Sequence, residues 1–370
     1  MKLSCLQENL AKGLSTVCRV VSTTGSLPVL SNVLLATEGG RLKLSATDLE
    51  TGIVTYVGAK IEQEGAITVP AKVFSRLVAN LPPGEISLEM KKQLLYLTAP
   101  EVASEFNGLS AEEFPELSEF NEQESFELSG ELLARGISEV AFAAAADEGR
   151  PVLTGILLLG EGRNLTLVGV DGFRLAEKKI TLEQDIPDLS LIVPARTLRE
   201  LALILGKADA PVLVSQAPEE NQIIFKVGEV VFSSRLLEGE FPQYQEIIPQ
   251  DFSTRFTLPR EEFLKAVSLS SIFAQTMANI VRLDFSPDDN LVSVSANTQE
   301  VGSNKVDLGG KGEGKAVQIA FNAKYLADGL SALSCEEISF TMTEGLKPGV
   351  IRPEGSDDYL HVIMPVRVQE

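Results

Sequence analysis

The chain has 370 residues, 44% of them hydrophobic and 23% charged, a formal net charge of −20, one histidine and three cysteines. That length accommodates two or three ordinary domains, and no run of about 18 apolar residues is present to span a bilayer as a helix. A lone histidine, His361, nearly excludes a His-based triad or zinc cluster, and scattered Cys5, Cys18 and Cys335 read as buried reduced thiols of a cytoplasmic protein.

In chain order, the first element is an amphipathic helix: Leu6, Leu10, Leu14, Val17 and Val21 share one face, with Glu8, Lys12, Ser15 and Arg19 away from it. An apolar run over 27–35 and an alternating strand at 41–45 follow, joined by a Gly-rich turn at 38–41. The strand leads to Asp48. Residues 66–72 then enter a second helix running to Leu81, and Glu85–Glu89 alternates again.

The same order returns twice. An amphipathic stretch at 130–145 precedes the run at 150–158, the strand at 164–167 with Asp171 beyond it, and a helix entered through 191–196. A third copy has its first helix at 259–274, strands at 279–284 and 290–297, and a second helix entered through 319–324. Pro70, Pro194 and Asn322 occupy matching positions 124 and 128 residues apart. That period is the size of a domain, far beyond the roughly 20–50 residues of solenoid repeats. The expectation is an α+β protein of three tandem similar domains, 1–121, 122–251 and 252–370, each with two helices packed on antiparallel sheets.

The six helical segments sum to a net positive charge while the whole chain is strongly negative. Lys and Arg as good surface helix formers account for this as well as an anion-facing surface does. Covalent chemistry leaves no signature: there is no Walker-type phosphate loop and no GxGxxG after a strand. The recurring Asp48 and Asp171 read as turn residues bonding local backbone. No cofactor or metal is expected. Three readings remain at this level: a non-enzymatic binding scaffold, an enzyme using a carboxylate pair, and a structural or interaction protein; the charge of −20 taken alone argues against a nucleic-acid binder.

A likeness along the full chain separates them. The strand Arg41–Ser45 leading into Ala46–Glu50, the helix start Val69–Lys72, Val170–Ala176, Gly239–Tyr244 and the terminal Val362–Arg367 together resemble the bacterial DNA polymerase III beta subunit, the DNA sliding clamp family. The resemblance implies a head-to-tail homodimer closing into a six-domain ring around duplex DNA, with helices lining the hole. It also implies partners that dock through short linear peptides: the replicative polymerase, the clamp loader and repair proteins. On the inner helices it points to Lys12, Arg19, Lys72, Arg76, Arg196, Arg199, Lys265 and Lys324 as DNA-facing. For a peptide-binding cleft between the second and third domains it points to Leu153, Val170, Gly172, Phe173, Arg174, Leu175, Pro242, Ile247, Asn322, Tyr325, Val362, Ile363, Met364, Pro365, Val366 and Arg367. From the residues alone, Val362–Val366 reads equally as a buried terminal strand. Charge at Met364 or Leu175 is expected to block the cleft and leave the dimer intact. For the dimer interface the likeness points to Phe106, Ile272 and Phe273, which read equally as core.

Departures from the family pattern are local. Phe173 stands where well-known members have His, Glu246 where Arg is frequent, Ala278 where Phe is common, Gly108 where a larger apolar residue is common, and Thr24 where a DNA-touching Arg is often found. Gln369 and Glu370 run past the usual end.

Overall fold

The computed structural model describes the chain except residues 23–26, 148, 207–209, 276–277, 299–301, 344–345 and 368–370. Thr24, Gln369 and Glu370 therefore lie outside the described residues. The first copy comprises β1 (Lys2–Leu6), α1 (Gln7–Val17), β2 (Asn32–Glu38), β3 (Arg41–Thr47), β4 (Thr51–Gln63), β5 (Ala66–Pro70), α2 (Ala71–Ala79), β6 (Glu85–Lys91), β7 (Leu94–Ala99) and β8 (Val102–Asn107). The second repeats that order with β9 (Phe126–Leu128), α3 (Gly130–Val140), β10 (Gly155–Glu161), β11 (Asn164–Val170), β12 (Arg174–Thr181), β13 (Leu189–Pro194), α4 (Ala195–Leu205), β14 (Val212–Ala217), β15 (Gln222–Val227) and β16 (Val230–Arg235). The third has β17 (Thr254–Pro259), α5 (Arg260–Ala274), β18 (Ile280–Ser286), β19 (Leu291–Thr298), β20 (Gly302–Gly309), β21 (Lys311–Gly314), β22 (Val317–Asn322), α6 (Ala323–Ala332), β23 (Glu337–Met342), β24 (Gly349–Pro353) and β25 (Tyr359–Ile363).

Period decides what is buried. In α1, Leu10, Leu14 and Val17 are fully buried, and in β3 Leu42 and Leu44 point inward while Arg41 is exposed. Leu6 departs from the helical stripe: it is the last residue of β1, paired with Glu85 of β6, and is 54% exposed. Val21 also falls outside α1, because a 3-10 turn at Cys18–Val20 ends the helix. The second helix of each copy begins directly after Pro70, Pro194 or Asn322. Proline suits that position because it needs no amide donor; Asn322 instead accepts a bond from the Lys324 amide at 2.9 Å, an N-cap.

Two compact units emerge, Met1–Glu131 with Glu200–Leu236, and Leu132–Arg199 with Leu237 onward. The second copy is thus divided between them. In the first unit, the sheet runs β8-β7-β6-β1-β4-β16-β15-β14-β9, and β4 bonds β16 through Thr51–Thr55. In the second unit a sheet of order β13-β10-β11-β12-β25-β24-β23-β17-β21 joins the second and third copies through β12 and β25, beside a four-stranded sheet β20-β19-β18-β22. The partners are equivalent in both junctions: the third strand after a copy's first helix pairs with the last strand of the next copy.

His361 is fully buried on β25, edge-on to Phe142 with ring centroids 5.1 Å apart, and neither ring nitrogen has a hydrogen-bond partner among the described residues. Gly329 makes room for it, since a Cβ there would lie 2.0 Å from Nδ1. Burial, helped by the charge of Arg174, lowers the imidazole pKa to about 3. A depressed histidine pKa means that the unfolded chain takes up a proton the folded chain refuses. Stability is therefore full above about pH 6.5 and falls as pH drops toward 3, by about 2–3 kcal/mol between pH 6.5 and 4.5. His361→Leu is expected to flatten that part of the profile of urea midpoint against pH; an unaltered slope refutes the assignment. The Cys5 thiol, also buried, is pushed up to about 12.

Candidate functional site

Two features stand out, exposed cations on the helices of each unit and an apolar surface in the second unit. On the helices, Lys12, Lys72, Arg76, Arg196 and Lys265 are exposed and enter no ion pair among the described residues. Such side chains are available to phosphates. The other three expected cations are already engaged. Arg19 pairs with Glu200 at 3.2 Å, and Lys324 with Asp328 at 3.0 Å. Arg199 donates to the carbonyl of Ala141, and burial followed by the nearby charge of Arg174 lowers its pKa. It acts as a strut from α4 to the 3-10 turn Ala141–Ala143, which follows α3 directly.

The apolar surface is built around the hairpin of β11 and β12. Asp171 shapes the turn: its Oδ1 accepts from the Phe173 and Arg174 amides at 2.8 and 2.9 Å, as Asp48 Oδ1 does from Glu50 and Thr51 at 3.1 and 2.8 Å. Gly172 adopts φ +92, with the Arg150 guanidinium so close that a Cβ would lie 3.1 Å from Nη1. Glycine suits both demands. At the matching position Leu49 takes φ +78, with its side chain 47% exposed.

Strand alternation sorts the expected cleft residues. Val170, Leu175 and Val362 lie on one face of the sheet, where they pack with Leu157, Val168, Leu360 and Tyr244 as a closed floor. Arg174 and Ile363 sit opposite each other in the β12–β25 register and point the other way. Ile363 is fully buried, so it belongs to the helix-side core rather than to the cleft surface. The guanidinium of Arg174 lies 4.4 Å from the centroid of Tyr325 and 5.4 Å from that of Phe142. Phe173, Pro242, Ile247 and Met364 are exposed. Phe173 stacks on Tyr325 with centroids 6.4 Å apart. Asn322 is occupied as the cap of α6. The segment 364–366 is pinned by Met364 N donating to Phe173 O and Val366 N to Ala320 O, both at 2.8 Å, with Pro365 half-buried and Arg367 exposed.

A cleft of about 300 Å³ opens beside this surface, lined by Leu153 and Pro242 and also by Arg150, Pro151, Val152 and Glu240. These last four were not anticipated as site residues. The first three lie in 150–153, the repeat partner of 27–30, and Glu240 lies in the 239–244 segment that carries the resemblance. Of the other departures, Gly108 is explained by packing: a Cβ would meet Ile67 at 2.5 Å. Glu246 is exposed, and Ala278 is exposed with φ +54.

At the expected interface, Phe106 is only 8% exposed and packs edge-on against Phe74 at 5.1 Å, which makes it core of its own chain. Ile272, by contrast, is 58% exposed on α5, with Phe273 half-buried beside it.

Models of the DNA polymerase III beta subunit match consecutive parts of the chain: its N-terminal domain at 1–118, central domain at 127–243 and C-terminal domain at 245–367. The beta sliding clamp of Synechococcus elongatus is 33% identical over 374 residues, with all of both chains covered. The chain belongs to the beta sliding clamp family. The Bacillus subtilis beta sliding clamp is 30% identical over 381 residues, covering 99% of this chain and 100% of the relative. The crystal structure of the B. subtilis DNA polymerase sliding clamp superposes with a TM-score of 0.94 at 29% identity, covering both chains entirely. The Pseudomonas aeruginosa clamp, solved bound to griselimycin, superposes with a TM-score of 0.93 at 30% identity over 100% of both chains. Among the described residues no helix is long and apolar enough to cross a membrane.

Proposed function

We propose that this beta sliding clamp works as a ring-shaped homodimer that encircles duplex DNA and tethers the replicative polymerase. Its three domains are 1–121, 122–251 and 252–370. The observation that carries the reading is the strand-pairing rule. β4 bonds the last strand of the second copy and β12 the last strand of the third. The equivalent β20 ends its sheet, and so does β8, the last strand of the first copy. An unpaired edge recruits another strand. Applying the same rule once more pairs β20 of one copy with β8 of a second, and the reciprocal contact closes the ring. Unlike surfaces meeting head-to-tail form a closed assembly when the rotation closes.

Topology then holds the protein on DNA, and the role of Lys12, Lys72, Arg76, Arg196 and Lys265 is weak, sequence-independent phosphate contact that permits sliding. The acidic remainder of the chain is tolerable because a loader, rather than bulk attraction, brings ring and DNA together. The apolar cleft takes short linear peptides of polymerase, clamp loader and repair proteins, and griselimycin is expected to bind there. The clamp does no covalent chemistry and works in the cytoplasm.

Retention on circular DNA after loader-assisted loading tests the ring. Linearising the circle should release the protein from the ends within the time of a gel-filtration run; protein retained equally on cut and uncut DNA refutes encirclement.

A further inference from the structure

The turn that carries Phe173 depends on a buried cation, and that cation depends on a carboxylate of another element. Arg174 Nε donates to Asp171 Oδ2 at 3.0 Å and Nη1 to Asp328 Oδ2 at 2.7 Å, with the Arg174 side chain only 8% exposed. Lys324 Nζ donates to the same Asp328 oxygen at 3.0 Å. Burial would raise the Asp328 carboxyl, but the bonds from Arg174 and Lys324 outweigh it and hold the pKa below the usual range. The charge of Arg199 is also felt in this neighbourhood. A guanidinium buried between two aromatic rings and near a second arginine needs compensating negative charge. Asp171 supplies part of it, but its Oδ1 is already committed to the Phe173 and Arg174 amides. Asp328 on α6 supplies the rest.

We infer that Asp328 is a positioning residue for the peptide cleft: by neutralising and orienting Arg174 it holds the 171–174 turn, and with it the stacked Phe173 and the Met364 segment bonded to it, in the form that accepts a ligand. This rests on the reading of that surface as the cleft. Asp328 is half-buried on α6 and is not among the residues expected to line the cleft, so its effect passes through Arg174.

Griselimycin binding to the full-length dimer, measured by calorimetry, tests this with Asp328→Asn, which keeps shape and removes charge. If the turn holds its competent form for only a tenth to a fifth of the time in D328N, affinity falls about five- to tenfold. Amide hydrogen exchange supplies a readout that general destabilisation would not reproduce. In D328N the Phe173 and Arg174 amides should exchange faster, while those of β10 and β11 keep wild-type rates. Unchanged affinity overturns the proposal; so does a loss with those two amides as slow as in wild type, or one with exchange raised evenly through the unit. Should wild type bind no griselimycin, the cleft reading fails instead. The exchange arm then decides alone: faster local exchange supports the positioning role and equal exchange overturns it.

Discussion

Replacing both Ile272 and Phe273 with glutamate is expected to convert the ring into monomers without unfolding the chain. Both lie on α5, which packs on β20, the free edge that the pairing rule assigns to a second copy. Ile272 is 58% exposed and Phe273 half-buried, so charge there meets water in the isolated chain. On the interface proposed for the ring the same positions would be covered. Burying each apolar side chain is worth about 1.5–3 kcal/mol, and an unpaired carboxylate in its place adds a desolvation penalty. A loss of about 6 kcal/mol per interface weakens association about 10⁴-fold, and a head-to-tail dimer contains the interface twice. Sedimentation at micromolar concentration should give the monomer mass, with a thermal midpoint within a few degrees of wild type. Retention on circular DNA should vanish with the dimer. A dimer mass for the double variant refutes the assignment. Phe106 cannot serve the same test: it packs against Phe74 inside the first unit, so a glutamate there is expected to lower stability as well.

What could be read before folding was whatever local periodicity and internal repetition record. The stripe of Leu10, Leu14 and Val17, the alternation in β3, and the helix starts after Pro70, Pro194 and Asn322 are all local facts, and the structure has them. Leu6 was misplaced because helical spacing cannot register that β1 is held extended by β6, far along the chain. The same limit explains the division of the second copy. Its strands are assigned to two compact units by the pairings β4–β16 and β12–β25, which no window of sequence contains. At the sites, residue type was legible but engagement was not. Arg199 looks like an exposed helix cation, yet it bonds the carbonyl of Ala141, and Lys324 is shared with Asp328. Ile363 follows Val362 in sequence, and strand alternation sends it to the opposite face.

Burial separates two substitutions which the sequence treats as equivalent. Met364→Glu places charge on a residue 39% exposed whose structural duty is carried by its backbone amide, bonded to Phe173 O. The fold should tolerate it. A ligand that would have covered the methionine loses about 2–3 kcal/mol of apolar contact, and the carboxylate it must desolvate makes the loss larger. Griselimycin affinity should fall at least about 100-fold, with the dimer mass and thermal midpoint held. Leu175→Glu enters a different environment. Leu175 is 1% exposed within the apolar floor formed with Val170, Val362 and Tyr244. A carboxylate placed among those apolar side chains loses its hydration, so destabilisation beyond about 4 kcal/mol is expected. The variant should therefore show a depressed thermal midpoint or poor solubility along with lost binding, and not a clean cleft defect. Wild-type affinity in Met364→Glu would remove that residue from the cleft, and an unshifted midpoint in Leu175→Glu would show that its side chain can leave the floor for solvent.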